Sequence, residues 1–255
     1  PDGLTTRLAI DKLKDLSQKN QPFLLAVGYF KPHLPFTAPK KYWDLYDRAQ
    51  LPLAHIKGLP QNVHMASLHG SSEFNSYEQG DEKAGAGIVF SDEYARKLIH
   101  AYYACVSYID EQIGQLIQAL EENGLKDNTV IVLWSDHGWH LGDHTIWGKH
   151  TLFEKALQSP MIIHYAGIAK PGKTTKALAE TIDIYPTLLE ICGIPAPGNL
   201  DGKSLYPVLQ NPDKKVQQAA YSYFRNGISM RTDRYRFTRY YKEGEAREEL
   251  YDHLT

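Results

Sequence analysis

The chain has 255 residues, 42% of them hydrophobic and 23% charged, with a formal net charge of -2. That composition belongs to a globular protein with a sizeable core and excludes a disordered chain. The near-neutral balance argues against a protein that coats nucleic acid or anionic membrane; the two cysteines allow at most one disulfide, and no apolar run approaches the ~20 residues of a membrane span.

Residues 5–20 read as a helix with Ala9, Leu13 and Leu16 on one face. The continuous apolar run Pro22 to Tyr29 predicts a buried strand of a parallel sheet. It passes into Lys31-Pro32-His33-Leu34-Pro35-Phe36, where two prolines forbid helix and ladder alike, so a rigid extended loop is expected at the strand's end. Residues 51–90 carry no period and are interrupted by Gly58, Pro60, Gly70, Gly80, Gly85 and Gly87, the pattern of a long functional surface loop. His55, His64 and His69 within it read as surface residues.

Residues 91–123 give the clearest helical pattern. Ser91 suits the cap and Asp92 and Glu93 the positive end, while Leu98, Tyr102, Cys105, Ile109, Ile113, Leu116 and Leu120 recur every three or four residues up to Gly124. A helix of this length is expected to lie across a sheet, with Cys105 a buried structural thiol. Thr129 to Trp134 is a second continuous run, β-branched and read as a buried strand, and after Met161 to Tyr165 comes another helix at about 183–192. From Ala219 onward, short aromatic-rich runs separated by turns predict a small antiparallel sheet. Helix followed by buried strand, seen twice, points to an α/β protein whose largely parallel, mixed sheet is sandwiched by helices.

Asp136-His137-Gly138 follows directly on the 129–134 run, at the carboxyl end of a strand, where α/β sheets place their ligands. His140, Asp143, His144, Lys149, His150, Glu154 and Lys155 come soon after. Three readings stand side by side. Asp136 and His137 bind a metal while Lys149 meets an anionic substrate; or His137, His140 and His144 form a zinc site on one helical face, against which Gly138 and Gly142 argue; or the stretch is a solvated polar loop. His33, also at a predicted strand end, is the second candidate for the same cleft.

The segment Pro22 to Phe36, the run Trp134-Ser135-Asp136-His137-Gly138-Trp139-His140-Leu141-Gly142-Asp143-His144 with Trp147-Gly148-Lys149, the run Thr181 to Gly193, and Ser229 to Arg236 resemble motifs of the sulfatase family, especially its iduronate-2-sulfatase-like branch. The resemblance implies an alkaline-phosphatase-like fold, with residues 1–210 as the C-terminal portion of the catalytic domain and 211–255 as the start of a small antiparallel subdomain. It implies a sulfuric-ester hydrolase acting on a sulfated carbohydrate, with Ca2+ as cofactor and export or a lysosomal destination. Asp136 and His137 match half of the family's calcium site; His33 and Lys149 match groups that contact the sulfate and help the leaving oxygen depart. Calcium prefers oxygen donors, so Asp136 suits it better than His137. A phosphodiesterase or phosphonate hydrolase of the same superfamily, and a non-catalytic glycan-binding module, are the competing readings.

The family's formylglycine nucleophile arises from a Cys or Ser in a C/S-x-P/A-x-R motif. Neither Cys105-Val106-Ser107 nor Cys192-Gly193-Ile194 fits, no serine fits, and the paired aspartates of the metal site have no counterpart. The expectation is that the isolated chain lacks normal turnover, the missing groups belonging to an N-terminal part of the same protein or to a complementing N-terminal chain.

Overall fold

The computed structural model describes residues 1–77, 80–242 and 245–254. Residues 78 and 79 of the 51–90 stretch, and Thr255, lie outside the described residues. In chain order the elements are α1 (Asp2–Ser17), α2 (Lys40–Trp43), α3 (Ser72–Ser76), α4 (Asp92–Glu122), β1 (Ile131–Trp134), β2 (His140–Leu141), β3 (Trp147–Gly148), α5 (Glu154–Leu157) and β4 (Met161–His164). They are followed by α6 (Ile184–Ile191), α7 (Tyr206–Gln210), β5 (Ala220–Phe224), β6 (Gly227–Arg231), β7 (Tyr235–Lys242) and β8 (Glu245–Asp252). Contacts divide the chain into two compact units.

The first unit comprises residues 1–59, 70–129 and 140–148. α1 buries Asp2, Thr6, Ala9 and Leu13 at helical spacing and packs on α4. α4 begins where predicted, because the Ser91 hydroxyl accepts the Tyr94 amide at 3.3 Å and satisfies one of the helix's free donors. Its buried stripe includes Leu98, Cys105 and Leu120. Cys105 is a free, fully buried thiol, and desolvation pushes it up to about 11. Within this unit the long helix packs on α1 and α2 and on the short β2–β3 hairpin, where a broad sheet was expected.

Residues 22–29 depart from expectation. The segment is extended, yet its residues alternate between half-buried and exposed, Leu24 is 88% exposed, and it forms no ladder among the described residues. An apolar run records what a strand can bury; a ladder also needs a partner backbone beside it.

The second unit comprises residues 60–69, 130–139 and 149–255. β1 pairs antiparallel with β4, Ile131 opposite His164 and Trp134 opposite Met161. The chain leaves β1 through Asp136–Gly138 and returns through α5, which turns it back on the end of β1: the Gly138 amide donates to the Ala156 carbonyl at 2.7 Å and the Ser135 amide to Pro160 at 3.2 Å. That reversal makes the pair antiparallel, as is every ladder among the described residues, so the parallel pairing expected of the 22–29 and 129–134 runs is not formed there.

The predicted C-terminal sheet is present, as four strands in the order β5-β6-β7-β8. One face buries Ser229, Arg236, Thr238 and Tyr240. The Ser229 and Thr238 hydroxyls bond at 3.0 Å, and Arg236 donates to Ser229 at 3.0 Å, so this polar core is satisfied internally. Residues 60–69, part of the expected open loop, are tied to β8: the Glu249 carboxylate accepts the His64 amide at 2.8 Å and the Ser67 hydroxyl at 2.7 Å. Before α6, the buried Asp183 carboxylate accepts the amides of Glu180 and Lys203, each at 2.8 Å, which gives the 181–193 motif a structural role.

Candidate active site

Asp136, His137 and Lys149 belong to the second unit and His33 to the first. In the second unit, Ser135-Asp136-His137-Gly138 folds on itself. The Ser135 hydroxyl donates to the His137 carbonyl at 2.8 Å, and the His137 amide donates to Asp136 Oδ1 at 3.1 Å. His137 Nδ1 lies 2.8 Å from the Gly138 carbonyl. A carbonyl only accepts, so Nδ1 carries the proton in that bond, and in the neutral ring Nε2 bears the lone pair, the tautomer of a metal ligand. Nε2 faces Asp136 Oδ2 at 3.5 Å, and the Asp136 side chain is 83% exposed. Two electron-rich atoms held side by side call for a proton or a cation between them.

Gly138 makes this turn possible by close approach. A Cβ there would lie 2.2 Å from the Lys155 carbonyl oxygen and 3.0 Å from that of Gln158, so only glycine lets the loop lie flat on α5. α5 is anchored in turn by Glu154, whose Oε2 accepts from Arg231 Nε at 3.0 Å and from Arg236 at 2.6 and 3.2 Å. Burial raises the Glu154 carboxyl, but the two guanidiniums outweigh it and hold the group below its ordinary value. Lys149 reaches back to this segment, its ammonium 5.5 Å from the centroid of the Trp139 ring.

In the first unit, the His33 loop is held by a neighbour that sequence reasoning passed over. Lys31 is buried, and its ammonium donates to the carbonyls of His33 at 3.1 Å and Pro35 at 2.5 Å. Desolvation lowers its pKa from the usual lysine value. Both the Lys31–Pro32 and Leu34–Pro35 bonds are cis. His33 Nδ1 meets the Leu34 carbonyl at 2.9 Å, and Nε2 meets Glu73 Oε1 at 3.1 Å. Both ring nitrogens thus face acceptors, the arrangement an imidazolium satisfies. Glu73 lies on α3, inside the stretch expected to lack structure.

The zinc alternative is not assembled. His140 is fully buried on β2 with Nδ1 3.2 Å from the Asp143 carbonyl, and among the described residues no three His, Cys, Asp or Glu side chains come together as a metal site. Nor do Asp136 and His137 by themselves make a calcium site: their spacing suits two neighbouring positions around one cation, and calcium takes about six to eight. His69, expected at the surface, is buried, with Nε2 3.3 Å from His150 Nδ1. The small cleft in the first unit is lined mostly by apolar residues such as Leu53, Val89, Phe90 and Trp147, with Lys57 and Asp92 also in its lining, and contains none of the predicted site residues. No helix is long and apolar enough to cross a membrane among the described residues.

Comparison with known proteins gives a consistent result. The sulfatase family model matches residues 2–194, and that of the N-sulphoglucosamine sulphohydrolase C-terminal region matches 142–255. The chain is 35% identical over 243 residues to a sulfatase of Formosa agariphila, covering 92% of this chain and 45% of that protein. It is 31% identical over 246 residues to mouse (Mus musculus) iduronate 2-sulfatase, covering 86% and 44%. A sulfatase-type structure from Bacteroides fragilis superimposes with a TM-score of 0.77 at 26% identity, covering 99% of this chain and 52% of that one. The chain therefore spans just under half the length of the curated relatives it matches.

Proposed function

This chain belongs to the sulfatase family and has an alkaline-phosphatase-like fold, and from that premise we propose that the protein it represents hydrolyses a sulfuric ester on a sugar, in the manner of an iduronate-2-sulfatase. The observation that carries the reading is the paired Asp136 Oδ2 and His137 Nε2 at 3.5 Å, with Lys149 on the same unit beside Trp139. We read residues 1–210 as the C-terminal portion of the catalytic domain and 211–255 as the start of the small subdomain.

The roles follow from charge. A sulfate ester gathers negative charge on its oxygens as the ester bond breaks, and the Lys149 ammonium offsets it. His33, with an acceptor at each ring nitrogen, holds a proton that it delivers to the departing sugar oxygen. Asp136 and His137 would provide two ligands to a divalent cation, Ca2+ by kinship, which would supply Lewis-acid polarisation of a sulfuryl oxygen. Its remaining ligands and the formylglycine nucleophile come from outside the described residues, through a contiguous or complementing N-terminal segment.

The test is a comparison of esters on the protein that carries this chain. Hydrolysis of a uronate 2-O-sulfate is expected to exceed that of matched phosphate and phosphonate esters, and Lys149→Ala and His33→Ala are each expected to lower kcat about 100-fold. Preference for the phosphonate ester would move the protein to another activity of the superfamily.

A further inference from the structure

Five arginines lie between Phe224 and Tyr241, and four of them are neutralised. Arg231 and Arg236 share Glu154, Arg234 pairs with Asp252, and Arg239 lies 3.4 Å from Glu248. Arg225 pairs with no carboxylate among the described residues; its guanidinium lies over the ring of Phe224, 5.1 Å from the centroid.

Its backbone is unusual as well. Arg225 sits at the tip of the β5–β6 hairpin, exposed, with φ +52°. A two-residue hairpin turn calls for a positive φ at this position, a conformation that glycine or asparagine adopts at less cost than arginine.

What it is displayed beside gives the function. The Phe224 ring stacks on His150 at 5.6 Å and 24°. His150 meets the buried His69 at 3.3 Å. The hairpin is also pressed on the same loop at Gly227, where a Cβ would come within 2.6 Å of Leu152 Cδ1. Two independent contacts thus fix the tip against residues 150–152, and His150 is the immediate neighbour of Lys149. The Arg225 side chain is exposed, and a guanidinium in solvent can bond an oxyanion in bidentate fashion through its N–H edge.

We propose that Arg225 is a specificity residue of the substrate site, which binds an anionic substituent of the sugar other than the sulfate that is cleaved. The proposal rests on the sulfated-sugar reading above. The ligand chemistry is a carboxylate or sulfate oxyanion, which a uronate and a second sulfate ester both present. Phe224 and His150 are positioning residues that aim the guanidinium.

The test is titration calorimetry of the chain with three methyl glycosides: a uronate 2-O-sulfate, its carboxyl-reduced 2-O-sulfated counterpart, and a hexose 2,6-di-O-sulfate. The wild-type chain is expected to bind at least one doubly anionic ligand about tenfold more tightly than the carboxyl-reduced one, and the ligand preferred identifies the substituent. Arg225→Asn is expected to abolish that preference while Tm stays level or rises, since asparagine tolerates the backbone conformation. Arg225→Lys is expected to keep part of the preference, and Phe224→Leu to reduce it. A preference that survives Arg225→Asn, or equal binding of all three ligands by the wild-type chain, would overturn the subsite and leave the sulfated-sugar reading in place. Failure of the wild-type chain to bind any of the three would likewise overturn the subsite, while the ester comparison on the protein that carries this chain tests the sulfated-sugar reading separately.

Discussion

The two segments that carry the candidate site residues are built in opposite ways. The His33 loop is held from within: the buried Lys31 ammonium spans two carbonyls of its own loop, and both ring nitrogens of His33 are engaged. The Asp136–His137 turn is held from below: it rests on α5 through Gly138, α5 is moored by Glu154 to two arginines of the C-terminal sheet, and the Asp136 carboxylate stands open to solvent. A group that holds and delivers one proton gains from a fixed environment. A group that ligates a cation needs an open face and a stiff base. The contrast says that damage should spread differently: changes near His33 stay local, while changes at the C-terminal sheet travel through α5 to Asp136.

The largest effect is expected at the mooring point. Glu154→Ala leaves Arg236, 4% exposed, without its carboxylate, and breaking such a buried pair costs about 4 kcal/mol. Chemical denaturation measures the loss, and hydrogen exchange at the Gly138 amide reports whether it reaches the turn. The pair also sets a pH dependence. Because the Glu154 pKa is lowered in the fold, its contribution is complete above the unfolded carboxylate value of about 4.3 and is lost as pH falls through the folded value. Stability of the wild-type chain should therefore fall on acidification in that window, and Glu154→Gln should flatten the profile there. An unchanged profile would show that the pair does not moor α5.

Gly138→Ala comes next. The added methyl meets backbone oxygens of α5, which cannot swing aside as a side chain would. A loss of about 3 kcal/mol is expected, with metal affinity at Asp136 falling by more than the same loss of stability produces when introduced elsewhere in the second unit. Terbium luminescence titration alongside thermal melts separates the two.

The contrast also explains what could be read in advance. α4 was legible because its period, its Ser91 cap and its acidic first turn all agree, and Cys105 followed from its place on the stripe. The DHG turn was legible from chemistry at a strand end. The 22–29 run was misread because periodicity reports burial potential and says nothing of whether a neighbour is at hand. β8 was missed because its sequence, with three Glu and one Arg, lacks the aromatic-rich pattern of the strands before it; in the ladder Arg239 of β7 stands opposite Glu248. Lys31, Glu73, His69 and Trp139 were missed for a common reason. Each acts through a contact, and only His33 or Lys149 close by in sequence gave a signal for Lys31 or Trp139; Glu73 and His69 lie 40 and 81 positions from the partners they meet.

Lys31→Met tests the local half of the contrast. It removes the donor from the His33 and Pro35 carbonyls but also relieves a desolvated charge, so the net cost is about 2 kcal/mol. Exchange should quicken across residues 30–37 and remain unchanged at Gly138. Acceleration at Gly138 would mean that the two segments share one cooperative unit of opening.

The smallest effect is expected at Trp139, and it separates positioning from folding. A cation over an indole face gains about 0.5–1 kcal/mol when exposed. Here that gain holds the Lys149 ammonium near the turn that bears Asp136 and His137. Trp139→Phe keeps an aromatic face and should retain most sulfate-ester affinity. Trp139→Leu removes it and should weaken binding about two- to fivefold, while the Gly138 amide, held by α5 from the other side, keeps its protection. The two readouts must part company: if Trp139→Leu instead lowers protection at Gly138 and leaves affinity intact, the ring is a packing element of the turn and Lys149 is held by its other contacts.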